Sequence, residues 1–162
     1  MDEKKLEQVV HGYTVSEHGK RVDALLRTRG VISSLCFVEI KTHKTELLQK
    51  QPYRSGCWAP SAELSGGVSQ VQGTVALAAE SIRTKLSLAD ETGSPTGEEA
   101  YNYMPKSFLV VGSLQEFVGD HGVNQERYRS FELFRRNVMS PEIITFDELF
   151  ERAKFIVEQH ET

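Results

Sequence analysis

No apolar run in this chain approaches the ~20 residues that a membrane-spanning helix requires, so a spanning helix is excluded and no membrane partner is expected. The opening Met1-Asp2-Glu3-Lys4-Lys5-Leu6 lacks the apolar stretch of a secretory signal, which makes cytoplasmic the expected location. Cysteine is scarce. Cys36 falls in an apolar run and Cys57 in a loop beside Trp58, so neither a disulfide framework nor a cysteine-based zinc set is suggested. The five histidines share no ligand spacing; His43 alone, two residues past Lys41, could border the site described below. A surplus of positive charge is missing too: 19 Lys and Arg stand against 23 Asp and Glu, a formal charge of −4. That excludes a protein whose whole surface binds nucleic acid, although not a local basic groove. Lys41, Lys44, Lys50 and Arg54 face only Glu46 in their window, and Arg127, Arg129, Arg135 and Arg136 face only Glu132 in theirs. Solvated helix and loop faces remain the competing explanation for either window.

What is present fits one globular domain over residues 1–162, with its core over about 10–157: 39% of residues are hydrophobic and 26% charged. After a first strand near Val9 to Val15, Arg21 to Leu26 and Leu35 to Lys41 read as two strands of a hairpin. Trp58, in a Gly- and Pro-marked loop, reads as an anchor against the core in preference to a base-stacking platform. A long helix is expected from Pro60-Ser61 to about Leu88, because Val68, Val71, Val75, Ala79, Ile82 and Leu86 recur at steps of three and four. Gly66-Gly67 and Gly73 within it imply a close backbone approach, to a sheet or to a ligand. Residues 90–99 are acidic and hold Gly93, Pro95 and Gly97, so they read as an exposed, mobile excursion. Ser107 to Gly112 is a buried strand, Asn124 to Asn137 a basic amphipathic helix, and Ile143 to Phe146 another strand. Thr145 or Asp147 then caps a final helix. The order is that of a mixed α/β domain.

The chemistry concentrates at Phe37-Val38-Glu39-Ile40-Lys41. Period two puts Leu35, Phe37, Glu39 and Lys41 on one face of a strand, with Glu39 and Lys41 roughly 6 to 7 Å apart. If the hairpin turns near Val31, Asp23 lies opposite Glu39 and projects to the same side of the sheet. Two carboxylates brought together need a positive partner, and a hard cation with oxygen ligands such as Mg2+ or Mn2+ meets that need. A half-buried strand ending in a structural ion pair is the alternative.

These segments resemble the PD-(D/E)xK nuclease superfamily, in which an acid on one strand is followed by Glu or Asp, any residue and Lys on the next. Asp23, Glu39 and Lys41 match those positions. A closer resemblance is to the C-terminal domain of the Shedu anti-phage defence proteins, carried by Arg21 to Leu26, Val38 to Lys41, Glu63 to Gln70, Ser130 to Arg136 and Ile143 to Leu149. It implies a restriction-endonuclease-like core, a central mixed β-sheet flanked by helices. It also implies a metal-dependent DNA endonuclease of prokaryotic immunity, assembled as a homo-oligomer (dimer or tetramer) and usually joined to an N-terminal sensor region that is expected to be missing here. On this reading the catalytic set is Asp23, Glu39, Lys41 and Gln70, and Mg2+ or Mn2+ is held by Asp23, Glu39 and the Ile40 carbonyl. Lys44, Arg127 and Arg129 contact DNA. Gln70 is the position at which the superfamily places a helix glutamine, with Thr74 where an aromatic often stands. Helical geometry instead puts Gln72 beside the apolar stripe, so both remain open. A catalytically silent nuclease-like module, binding DNA or serving assembly, is the alternative function.

Overall fold

A computed structural model describes residues 7–9, 24–28, 31–90 and 92–160. Its contacts cluster into two compact units, Met1–Glu39 with Gln70–Phe108 and Ile40–Ser69 with Leu109–Thr162. Three elements, β3 (Ser33–Ile40), α1 (Ala62–Ser81) and β5 (Pro95–Val110), contribute residues to both units. The chain is an α/β protein built on a mixed sheet. No helix among the described residues is long and apolar enough to cross a membrane.

In the first unit the strand order is β1-β2-β3-β5-β4, with β1 at Glu7–Val9, β2 at Ala24–Thr28 and β4 at Lys85–Ala89. The β2–β3 hairpin is antiparallel, Ala24 facing Val38, Leu25 facing Phe37 and Arg27 facing Leu35. This is the register expected from a turn near Val31. Alternation sends Leu25, Leu35 and Phe37 to one face, where they pack with Ala78 and Ile82 of the helix and Ala100 of β5. A fully buried Phe or Leu stabilises such a cluster by ~1.5–3 kcal/mol.

The helix ends at Ser81, short of the expected Leu88. Just past the helix Arg83 takes a left-handed φ of 58°, and the Asn102 side-chain amide donates to the carbonyls of Ala78 at 3.2 Å, which also accepts the Ile82 N–H, and of Arg83 at 3.1 Å. Leu86 and Leu88 then alternate with exposed residues on β4, so Leu86 belongs to a strand although its spacing continues the helical stripe. Asp90 and residues 92–98 are exposed, as expected, and they belong to the turn of the β4–β5 hairpin and the start of β5. The Asp90 carboxylate accepts from the Thr92 hydroxyl and from the N–H groups of Thr92 and Ser94, contacts that hold its pKa below the usual carboxylate range. Along β5 burial falls on Ala100 and Asn102, then skips to Ser107; the change of phase brackets exposed Tyr103 and Met104, and Met104 has a φ of 46°. The strand thus changes its buried face around Met104.

In the second unit four backbone bonds join three strand ends. Lys41 N–H donates to Val110 O at 2.8 Å and Gly112 N–H to Thr42 O at 3.0 Å. Val111 N–H donates to Ile144 O and Phe146 N–H to Gly112 O, both at 3.0 Å. Each pair of bonds advances in the same direction along both partners, the pattern of parallel neighbours, and β8 (Glu142–Ile144) pairs with β5. Gly112 has a φ of 61°, and a Cβ there would lie 2.6 Å from Leu47 Cδ2 and 2.7 Å from the Thr45 carbonyl oxygen. The close approach implied by the helical glycines is found at Gly67, against the Leu109 side chain.

Helix α1 is capped by Ser61, whose Oγ accepts the Leu64 N–H at 3.0 Å, and α2 (Gln125–Asn137) by Asn124. Trp58 is half-buried, its backbone N–H donating to Ser130 Oγ. Thr145 directly precedes α3 (Phe146–His160), and Glu148 reaches back to accept its N–H and its hydroxyl. That is the carboxylate half of a capping box. Asp147 instead accepts the Leu114 N–H. Glu148 also takes both guanidinium nitrogens of Arg135, at 2.7 and 2.8 Å. Burial opposes its charge, but the Arg135 and Thr145 donors prevail and lower its pKa from the ordinary 4.5 to about 2.

Gly112→Ala should lower the unfolding free energy by about 2 kcal/mol or more, because backbone strain and a backbone clash coincide. Gly66→Ala, in a helix interior with open space around it, should raise stability by up to about 1 kcal/mol. Urea titrations check both. Because folding depresses the Glu148 pKa, its contribution is present above about pH 4.5 and is lost as pH falls toward 2. Acid unfolding curves should therefore show wild type losing on the order of 2 kcal/mol over that window, and Glu148→Gln, already weaker at neutral pH, should lose less.

Candidate functional site

Alternation along β3 places Glu39 on the same face as Leu35 and Phe37, the face that the second half of α1 covers in the first unit. Glu39 is only 4% exposed. It lines a shallow crevice too narrow to hold a water molecule, together with Phe37, Val38, Val71 and Thr74. Three of these walls are apolar, and Glu39 and Thr74 are the polar side chains among them.

The buried stripe of α1 runs Leu64, Val68, Val71, Thr74, Ala78, then Ile82 just past the helix end. Ala79, counted in the stripe from sequence, is exposed. Replacing Ala79 by Thr74 and Ala78 rotates the inward face toward Gln70. Gln70 is half-buried, one turn before Thr74, whereas Gln72 is exposed. The sequence arithmetic favoured Gln72 because it admitted only apolar residues to the stripe and so passed over Thr74. Thr74, which the resemblance marks only as standing where an aromatic often does, is 3% exposed in this stripe, at a step of three from Val71.

Ile40 and Lys41 follow Glu39 along the chain and belong to the second unit. Ile40 is exposed, and Lys41 is half-buried with its backbone fixed by Val110. Asp23 lies outside the described residues, although the hairpin register up to Ala24 and Val38 is the one its expected position requires. Among the described residues no three His, Cys, Asp or Glu side chains converge as a metal set. The donors that can be described, the Glu39 carboxylate and the Ile40 carbonyl, are hard oxygens of the kind that suits Mg2+ or Mn2+ better than zinc. The exposed His43 sits edge-on to Phe146, ring centroids 6.2 Å apart.

The basic windows look different in three dimensions. Arg127 donates to Glu116 at 2.7 Å, and Glu116 also accepts the N–H groups of Leu47 and Leu48. Arg135 pairs with Glu132 and Glu148, and Arg136 with Glu132. Arg129 is exposed and donates to the Gly56 carbonyl, and Lys44 is exposed. Glu116 and Glu148 lie outside the sequence window that made the second cluster look strongly cationic.

Residues 3–150 match the family described as Shedu protein SduA, C-terminal. Shedu protein SduA of Bacillus cereus (strain B4264) is 28% identical over 153 residues, which cover 93% of this chain and 38% of that protein. The chain thus spans well under half the length of its curated relative.

Arg127→Ala should lower the thermal midpoint by several degrees, since it leaves Glu116 part-buried beside two backbone donors without its cation. Lys44→Ala and Arg129→Ala should leave the midpoint within about a degree of wild type. Differential scanning fluorimetry separates the two classes.

Proposed function

We propose that this chain, which belongs to the Shedu protein SduA C-terminal family, is a metal-dependent DNA endonuclease domain of prokaryotic anti-phage defence with a PD-(D/E)xK centre. The observation that carries the reading is the placement of Glu39. It is buried on a hairpin strand of the expected register, opens into a crevice under a helix that bears Gln70, and stands two residues before Lys41.

On this reading Asp23, Glu39 and the Ile40 carbonyl hold Mg2+ or Mn2+. When bound, the ion supplies Lewis acidity toward the scissile phosphate and lowers the pKa of a coordinated water. As an ammonium, Lys41 would orient an attacking water and offset charge developing on the phosphate oxygens; as a neutral amine it would instead accept that water's proton. The Gln70 amide aligns the reacting groups. Lys44, Arg127 and Arg129 meet backbone phosphates, contacts that set affinity without reading sequence. Of these Lys44 and Arg129 are exposed, and Arg127 would have to share its guanidinium with Glu116. A homo-oligomer, a cytoplasmic setting and a sensor region outside this chain complete the proposal.

A silent DNA-binding or assembly module is the second reading, favoured by the formal charge of −4 and by the ion pairs that engage most arginines of α2. Linear and circular DNA incubated with Mg2+ or with EDTA tests the two. Cleavage should occur only with the metal, and Lys41→Ala, folded as judged by an unchanged thermal midpoint, should cut at least ~100-fold more slowly. Cleavage by that variant at the wild-type rate would rule the mechanism out; no cleavage by wild type on either substrate, with no Mn2+ uptake, would favour the silent module.

A further inference from the structure

We propose that the solvent-facing apolar stripe of α3 is the surface on which two copies of this chain pair. This rests on the homo-oligomer reading above and names the surface, within the second unit, that would make it.

Glu148 ties down the first turn of α3 through Thr145 and Arg135, but every residue from Leu149 to Gln159 is exposed. At 100° per residue, Leu149, Phe150, Ala153, Ile156 and Val157 fall within about 120° of one another, an apolar stripe of the width that normally faces a core. Here it faces solvent: Phe150 is 69% exposed, Val157 59%, Ile156 48% and Leu149 40%. A helical stretch this short, under ~12 residues, is marginal in water without tertiary cover, so its persistence calls for a partner. Charge narrows the partner's chemistry. The helix carries Asp147, Glu148, Glu151 and Glu158 against Arg152 and Lys154, and these two bases already meet Glu142 at 3.1 Å and Glu158 at 3.9 Å. An acidic polar face repels DNA and anionic lipid alike, and a membrane-lying helix is normally rich in Lys and Arg. A protein surface remains, and a second copy meets its requirements. Under a two-fold axis the stripe packs against itself antiparallel, with the acidic first turns at opposite ends and the helix dipoles opposed. Leu149, Phe150, Ile156 and Val157 present on the order of 400 Å² of apolar area per copy. Homodimer interfaces are about 65% apolar, so with its polar rim the stripe reaches the ~600 Å² per partner at which specific interfaces begin.

Sedimentation velocity over a concentration series compares wild type with Phe150→Arg, Ile156→Arg and Phe155→Ser. Phe155 is the control: it is 62% exposed but lies on the opposite side of the helix from the stripe. Wild type should pass from monomer to dimer. Either arginine should weaken that dimer at least about tenfold, whereas Phe155→Ser should leave its strength within about twofold of wild type. All four proteins should share one far-ultraviolet circular dichroism spectrum at the lowest concentration, because the substituted positions are exposed. A dimer that both arginine variants keep at wild-type strength would overturn the α3 surface and leave the homo-oligomer reading standing. So would a Phe155→Ser protein as weakly paired as Phe150→Arg. A wild type that stays monomeric at every concentration would overturn the surface and the homo-oligomer reading together, whether the stripe then captured phosphatidylglycerol vesicles or nothing, and would leave the metal and cleavage readings intact.

Discussion

The backbone ladder that joins Lys41-Thr42, Val110 to Gly112 and Ile144 to Phe146 is the constraint on which the second unit depends. It fixes the chain where β3 has just delivered Glu39, so the root of the Lys41 side chain is anchored by a main-chain bond. It also needs a residue without a side chain at its middle, because Gly112 runs within van der Waals distance of the Thr45 carbonyl and the Leu47 side chain. The surrounding loops are secured by carboxylates: Glu116 takes the N–H groups of Leu47 and Leu48, and Asp147 takes that of Leu114. Acidic residues thus do much of the structural work in this unit, which is one physical reason that a protein proposed to handle DNA carries a negative formal charge.

That use of carboxylates also limits how well charge could be read along the chain. A window counts neighbours in sequence, but the partners of Arg127 and Arg135 are eleven and thirteen residues away, at Glu116 and Glu148. Short-period features fared better. The alternation of Leu35, Phe37 and Glu39 was legible because strand faces repeat every second residue, and the turn residues constrained the hairpin register. The cap of α3 was legible only as a choice between Thr145 and Asp147, of which Thr145 is the one that Glu148 reaches back to.

What escaped the sequence was set by tertiary context. Leu86 continues a helical spacing, yet the chain leaves the helix through left-handed Arg83, where Asn102 binds the Ala78 and Arg83 carbonyls, and Leu86 falls on a strand. Asn102 is distant in sequence, so no local pattern announces it. The candidate site shows the same asymmetry. Glu39 followed from the strand period, whereas the choice between Gln70 and Gln72 turned on whether a polar residue could belong to a buried stripe.

The change of phase at Tyr103 and Met104 has a consequence for how related sequences can vary in length. Upstream of it β5 belongs to the hairpin with β4; downstream it leads into the ladder around Gly112. A continuous strand would transmit any insertion in the hairpin as a half-turn of every later side chain, exchanging inward for outward positions. With an irregular step already between the two stretches, a residue gained or lost near residues 90–99 can be absorbed before Ser107. The hairpin is therefore a place where this architecture tolerates insertion and deletion while the strand end beside Lys41 keeps its phase.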